Sequence, residues 1–326
     1  MIRLRDISHV AYYVPDLHPM QEFLSDFGMR TVQRADDALY MGGAGDAPYV
    51  HVSLRDTRRG LAYIALEVES EDQLEAASRL AGASSIQPLA GPKSGRYVRL
   101  IDPDGVPLHL VRWDATSDTS TPTGTQAEPA MNSPQHKPRK GEPYRHTLAP
   151  AAVHRLGHIL LHVRNLARTR DWYVEHLGLT LSDALYENTP DNTVAGFFRL
   201  PHGEQYVDHH CLGFVQVPPD VPTGVHHSSF EVASFDAIGA GHQWLARRGW
   251  TPRWGVGRHI LGSQIFDYWY DPAGHVIEHY TDGDVFNHDA PAGQFQNGVD
   301  MLAGWAPPYP AAPPRSAPST DGNDHA

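Results

Sequence analysis

Cysteine is nearly missing from this 326-residue sequence: Cys211 stands alone, which excludes an intrachain disulfide and any all-thiolate metal site. Long apolar runs are missing too, and no stretch approaches the ~18–20 residues that a membrane-spanning helix needs. Cations are in the minority, with 26 Lys and Arg against 38 Asp and Glu and a net charge of −12. The basic footprint of a nucleic-acid-binding surface is therefore lacking. The opening MIRLRDISHVAYYV enters a strand pattern directly, without an apolar core followed by a small-residue cleavage site, so a cytoplasmic location is expected.

What is present is the balance of a globular protein, 40% hydrophobic and 20% charged, with enough chain for two domains. Histidine reaches 21 residues, a surplus that directs attention to metal ligation. The run DISHVAYYV alternates like a half-buried strand. Pro15 and Asp16 then turn the chain into LHPMQEFLSDFG, an amphipathic helix closing at Gly28. Strand-like runs follow at 38–42, 48–54 and 61–68, and a helix is expected over 70–81, with Ser70, Asp72 and Gln73 suited to cap it. Strands near 96–102 and 107–112 are joined by the turn DPDG.

Residues 114–152, rich in Ser, Thr, Pro and Gly, read as a linker. Beyond it the first pattern returns. LGHILLHV repeats ISHVAYYV, ARTRDWYVEHLG repeats the first helix and its glycine, and YDPAGHVIEHY repeats IDPDGVPLHLV. The chain is thus an internal duplication in which a β-α-β-β-β module occurs four times. The Pro/Ala/Ser-rich tail from about 304 is expected to be mobile at its end.

Three residues of the second half, His158, His227 and Glu278, sit inside the strand-like segments LGHILLHV, VHHSSFEV and HVIEHY. Two imidazoles and one carboxylate on one face of a metal form the ligand set of non-haem Fe(II) oxygenases, which leaves positions open for substrate and O₂. The duplication supplies an internal control, because the corresponding first-half residues are His9, Tyr63 and His109. No carboxylate remains there, so the first half is expected to be metal-free support. A buried Glu on an apolar strand also demands a cation to pair its charge.

Alternation places His210 with Leu212 and Phe214 on one face, with His209 and Cys211 opposite, and Tyr268 between Phe266 and Tyr270. A neutral His beside a bound diol can take its proton, and a Tyr with a second His, here His259, can donate hydrogen bonds to reduced oxygen. Blander readings apply elsewhere: His162 as a pocket or packing residue, His226 as structural because it points away from His227, and Cys211 as a small core residue. Phe198, Leu212, Trp254 and Ile260 are the expected pocket walls.

LGHILLHV, DHHCLGF, VHHSSFEV and GRHILGSQIFDYWYDPAGHVIEHY together resemble the type I extradiol ring-cleaving (catechol 2,3-) dioxygenases of the vicinal oxygen chelate superfamily. The resemblance covers roughly residues 3–113 and 154–282. It implies an α+β fold of two tandem vicinal-oxygen-chelate (glyoxalase/bleomycin-resistance-like) domains. These are a metal-free domain at 1–113, the linker 114–152, a catalytic domain at 153–282 and an extension at 283–326. Within that extension, residues 283–309 resemble the segment that folds over the active-site mouth in some members.

The resemblance assigns Fe(II), with Mn(II) as the metal that shares its ligands, to His158, His227 and Glu278. It assigns acid–base work to His210, and support of reduced oxygen to His259 and Tyr268. It implies insertion of both atoms of O₂ into a catechol next to the diol, giving a muconic semialdehyde-type product. A small catecholic substrate, O₂ and further copies of the chain are the expected partners, with no nucleic acid and no membrane. Rival readings are a hydroquinone-cleaving dioxygenase, a glyoxalase-like isomerase, and a non-catalytic module that binds an aromatic ligand.

Overall fold

The computed structural model describes residues 1–114, 130–145 and 147–310. Residues 115–129 and 146 of the linker expected at 114–152, and the end of the tail, 311–326, lie outside the described residues.

The first half runs β1 (Leu4–Val14), α1 (Leu17–Asp26), β2 (Arg30–Arg34), β3 (Ala38–Gly42) and β4 (His51–Arg55). It continues with β5 (Gly60–Val68), α2 (Glu71–Ser78), β6 (Gln87–Pro88), β7 (Gly95–Ile101) and β8 (Pro107–Trp113). The second half repeats this with β9 (Val153–Val163), α3 (Leu166–Leu177), β10 (Thr180–Tyr186), β11 (Thr193–Arg199), β12 (Val207–Asp208) and β13 (Leu212–Gln216). Then come β14 (Gly224–Val232), α4 (Phe235–Arg247), β15 (Pro252–Arg258), β16 (Ile265–Tyr270) and β17 (Val276–Thr281). Two further strands, β18 (Val285–Phe286) and β19 (Gly293–Gln296), belong to the C-terminal segment.

The sheet orders expose the duplication. The first sheet is β2-β3-β4-β1-β5-β8-β7-β6, and the second is β15-β16-β17-β14-β9-β13-β11-β10-β19. Read from its other end, the second repeats the first strand for strand, with β19 added outside β10. Each is two βαβββ modules joined along a central antiparallel pair, β1 with β5 and β9 with β14. This α+β architecture of curled sheets is the one the resemblance implies. Weakly apolar pieces were not expected as strands: β2 is almost fully exposed, and β6 has only two residues.

Local chemistry explains the elements. In α1, Leu17, Met20, Phe23 and Leu24 bury one stripe, and the N-cap Asp16 accepts from the His18 amide. Asn165 and Ser234 do the same for α3 and α4. The cap expected at Ser70 is not made by its side chain, because α2 has no side-chain cap bond and Gln73 instead accepts from the Arg3 amide at 2.8 Å. In both DPxG turns an Asp carboxylate gathers two backbone N–H groups: Asp102 takes Asp104 and Val106, and Asp271 takes Ala273 and His275. The second of these turns delivers β17.

One continuous core spans both halves, from Ile2 and Leu4 to Trp269 and Ile277. At the joint, the His279 ring stacks on Phe27 at 3.6 Å and its Nε2 lies 2.7 Å from the Phe27 carbonyl. Gly28, with φ at +100°, brings the backbones together so closely that a Cβ would sit 1.7 Å from the Ala151 carbonyl oxygen. No helix among the described residues is long and apolar enough to cross a membrane.

Candidate metal centre

Strand register draws the site as a transverse row. Tyr268 pairs with Glu278, Glu278 with Ser229, and Ser229 with His158, across β16, β17, β14 and β9. Laterally paired residues share a face of the sheet, and His227, two residues before Ser229 on β14, joins them. His158 Nε2 lies 3.3 Å and His227 Nε2 3.4 Å from the same carboxylate oxygen, Oε2 of Glu278. One ligand atom from each of the three residues lies within 4.8 Å of the others, and all three are buried. Ser229 donates its hydroxyl to that Oε2 as well.

The corresponding first-half row is Arg99, His109, Ala65 and His9. Tyr63 stacks on His109 at 3.8 Å, and His9 is walled by Tyr49 and Trp113 at 4.6 and 5.9 Å.

Electrostatics suit a divalent cation. Burial alone raises the Glu278 carboxyl; hydrogen bonding to the His158 and His259 imidazoles turned toward it outweighs burial and holds it well below the usual range. Burial first, and then the neighbouring His226, keeps His227 uncharged far below its ordinary pKa. The buried atoms His227 Nε2 and Glu278 Oε1 have no hydrogen-bond partner. An uncharged His227 imidazole, an ionised carboxylate and orphaned lone pairs at one point match what a hard-to-borderline metal ion requires.

Beside this row, the His210 ring is 4.2 Å from His158, and burial, followed by the charges of His158 and His209, holds it well below its ordinary pKa. His259 Nε2 is 2.9 Å from the Tyr268 hydroxyl and 3.7 Å from Glu278 Oε1. Its Nδ1 is 2.6 Å from the Leu302 carbonyl oxygen. A carbonyl only accepts, so Nδ1 carries the hydrogen, and in the uncharged ring Nε2 accepts from Tyr268. Burial, with the Glu278 charge next, pushes the Tyr268 phenol well above its ordinary pKa, so it stays protonated.

These residues open onto a cavity of about 1050 Å³. Its apolar wall includes Leu160, Phe197, Val215 and Trp254, and Met301, Leu302 and Tyr309 line it from the C-terminal segment.

The geometry belongs to a known group. Residues 155–279 match the Glyoxalase/Bleomycin resistance protein/Dioxygenase superfamily. Metapyrocatechase 2 of Cupriavidus necator is 32% identical over 313 residues, which cover 94% of this chain and 90% of that protein. The chain belongs to the extradiol dioxygenase family. Among solved structures, the Mn(II)-bound glyoxalase from Novosphingobium aromaticivorans shares the fold with a TM-score of 0.74 at 22% identity, covering 97% of each chain. The 2,3-dioxygenase LapB from Pseudomonas sp. KL28 does so with 0.73 at 18%, covering 91% of this chain and 98% of its own.

Several expectations need correction within this extradiol fold. His210 does not share a face with Leu212 and Phe214: those two are fully buried in the main core, whereas His210 lines the cavity. The cause is that β13 begins only at Leu212, so strand alternation does not reach back to residue 210. Phe198 and Leu212 are core residues, not pocket walls, and Ile260 is 41% exposed and does not line the cavity. His226 does not point away from the site. A register shift between Val225 and His227 breaks the alternation, and His226 lines the cavity with its Nδ1 against that of His227. His162 lines the same cavity.

Sequence reasoning missed Ser229 and Asp183. Ser229 carried a usable signal, since it sits two residues from His227 and so on the same face.

Proposed function

We propose that this chain is an extradiol dioxygenase that opens the ring of a catechol next to its diol, with both oxygen atoms of O₂ ending in a muconic semialdehyde-type product. The observation that carries this reading is the approach of two imidazole nitrogens to one carboxylate oxygen, 3.3 and 3.4 Å away, at the base of an apolar cavity. His158, His227 and Glu278 are the proposed ligands, and Fe(II) is the proposed metal, with Mn(II) as the ion the same donors accept. Such an ion, when bound, would supply open coordination positions for diol and O₂ and a path for electron density between them.

The remaining work falls to the protein. His210, kept uncharged by burial, takes a proton from a diol hydroxyl and returns it later as the acid. Tyr268 keeps its O–H, which rests on His259 Nε2 at 2.9 Å and turns from there to donate to oxygen as negative charge builds on it. Phe197, Leu160, Val215 and Trp254 exclude water from the ring. The cavity exceeds what a one-ring diol fills, so ring substituents fit within it.

Anaerobic loading with Fe(II), followed by catechol, 2,3-dihydroxybiphenyl or hydroquinone under air, tests the reading. Yellow product with stoichiometric O₂ uptake from the catechols is expected. Uptake with hydroquinone alone would assign the rival ring-cleaving chemistry, and no uptake with any diol would remove the dioxygenase reading.

A further inference from the structure

Asp183, on β10, and His209, before β13, belong to none of the roles above, yet they meet His210 in an unbroken chain. Asp183 Oδ2 lies 2.8 Å from His209 Nε2, and His209 Nδ1 lies 3.0 Å from His210 Nδ1. The residues are 9%, 1% and 4% exposed. We propose that Asp183 and His209 are positioning residues that fix the His210 imidazole in the tautomer whose Nε2 is unprotonated.

The inference follows from donor and acceptor capacity. An ionised carboxylate only accepts, so His209 Nε2 carries a hydrogen. With that hydrogen on Nε2, Nδ1 is the acceptor of the His209 ring, and the hydrogen in the 3.0 Å contact comes from His210 Nδ1. An uncharged His210 with its hydrogen on Nδ1 has a lone pair on Nε2, the one ring nitrogen left to act as base. The chain thus determines which nitrogen of His210 can take a proton, as the carboxylate of a Ser-His-Asp triad does for its histidine.

Packing holds the chain in place at both ends. The Phe286 ring stands 5.2 Å from the His209 ring, and the His209 amide donates to the Asp284 carbonyl. Gly262 faces His209, where a Cβ would lie 3.1 Å from Nδ1. Gly293, on β19, crosses Asp183 so closely that a Cβ would lie 2.2 Å from Oδ1. The C-terminal segment therefore closes over both positioning residues, and nothing bulkier than glycine fits where it passes the carboxylate.

The proposal rests on the base role assigned to His210 above, but its first test does not require turnover. The ¹⁵N spectrum of histidine-labelled full chain, without metal, reports which nitrogen of each ring is protonated, and the His210 signals are those lost in His210→Gln. Expected is an Nδ1-protonated His210 that switches to Nε2-protonated in Asp183→Asn. The Asn amide donates to His209 Nε2, which turns the chain around. An Nε2-protonated His210 in the wild type, or a tautomer indifferent to Asp183→Asn, overturns the proposal.

The second test is kinetic, on metal-loaded enzyme. Asp183→Asn lowers kcat by roughly 10²-fold with KM changed less than about threefold and metal content unchanged. Asp183→Glu restores both the tautomer and most of kcat. His209→Gln, which can accept from His210 and donate to Asp183, stays active, whereas His209→Phe does not. Loss of kcat equal in His209→Gln and His209→Phe would reduce these residues to packing. A wild-type chain without ring-cleaving activity sinks the proposed function, while the spectrum still decides the tautomer.

Discussion

Ser229 and His158 both face Oε2 of Glu278, so one carboxylate oxygen is shared between a hydroxyl donor and a proposed ligand imidazole. The first half has Ala65 at the position of Ser229, between His9 and His109. The hydroxyl therefore occurs only where the carboxylate does, and its effect is to fix which lone pair Glu278 offers. Ser229→Ala is expected to weaken metal binding about tenfold or more, as loss of a hydrogen bond to a ligand does. Competition against a chelating indicator measures this, and an unchanged Kd contradicts it.

His210 and Tyr268 are expected to separate metal binding from chemistry. His210→Ala keeps the ion and loses roughly 10²–10⁴-fold in kcat, the range of a positioned acid–base residue. Tyr268→Phe removes only a hydroxyl and is expected to cost on the order of 10–10²-fold in kcat. Metal analysis beside steady-state rates checks both. Glu278→Ala, in contrast, no longer retains the ion through gel filtration.

Asp26 joins the halves: its carboxylate accepts from Trp244 Nε1, Arg248 Nε and Trp250 Nε1 at 2.9, 2.8 and 2.9 Å. Burial raises this carboxyl, and the hydrogen bonds from Arg248, Trp250 and Trp244 outweigh it, leaving its pKa below the ordinary value of 3.8. A carboxylate depressed in the folded state stabilises fully above its unfolded pKa, and the contribution is lost as pH falls through the folded value. Asp26→Asn is thus expected to cost about 2 kcal/mol at neutral pH. The difference from wild type shrinks as unfolding is followed down below about pH 4. A gap that persists undiminished in acid would assign the effect to shape and not to charge.

Gly157 precedes His158, and a Cβ there would lie 1.8 Å from the Tyr280 hydroxyl oxygen. Gly157→Ala is expected to cost about 1–3 kcal/mol by overpacking and to weaken metal binding by displacing His158. Adding Tyr280→Phe removes only the hydroxyl and leaves two ring carbons 2.4 and 2.5 Å from that Cβ, so it is expected to recover little of either. Thermal unfolding and a metal titration of the single and double variants decide this.

Much of the fold could be read from the residues because the chain states its pattern twice. His158, His227 and Glu278 each lie in a short apolar strand, and the DPAG turn announces the last of these strands. What stayed hidden depends on pairing over distance or on backbone atoms. Asp183 and His209 are 26 residues apart, and Ser229 and Glu278 are 49 apart. No local window links either pair. The Leu302 carbonyl that orients His259 is a group every residue owns, so no side chain advertises it. His226 was misread because a bulge changes the facing of one residue without leaving a mark in the composition.

The rings around His9 have an evolutionary corollary. Replacing Ala65, Tyr63 and His109 with the second-half residues would recreate the donor types, yet Tyr49 and Trp113 already occupy the hollow those donors would face. Restoring a first-half centre would require excavation before ligation, with several large side chains shrinking together. Bulk fills the first-half hollow, while the same half packs against the second at Phe27 and His279.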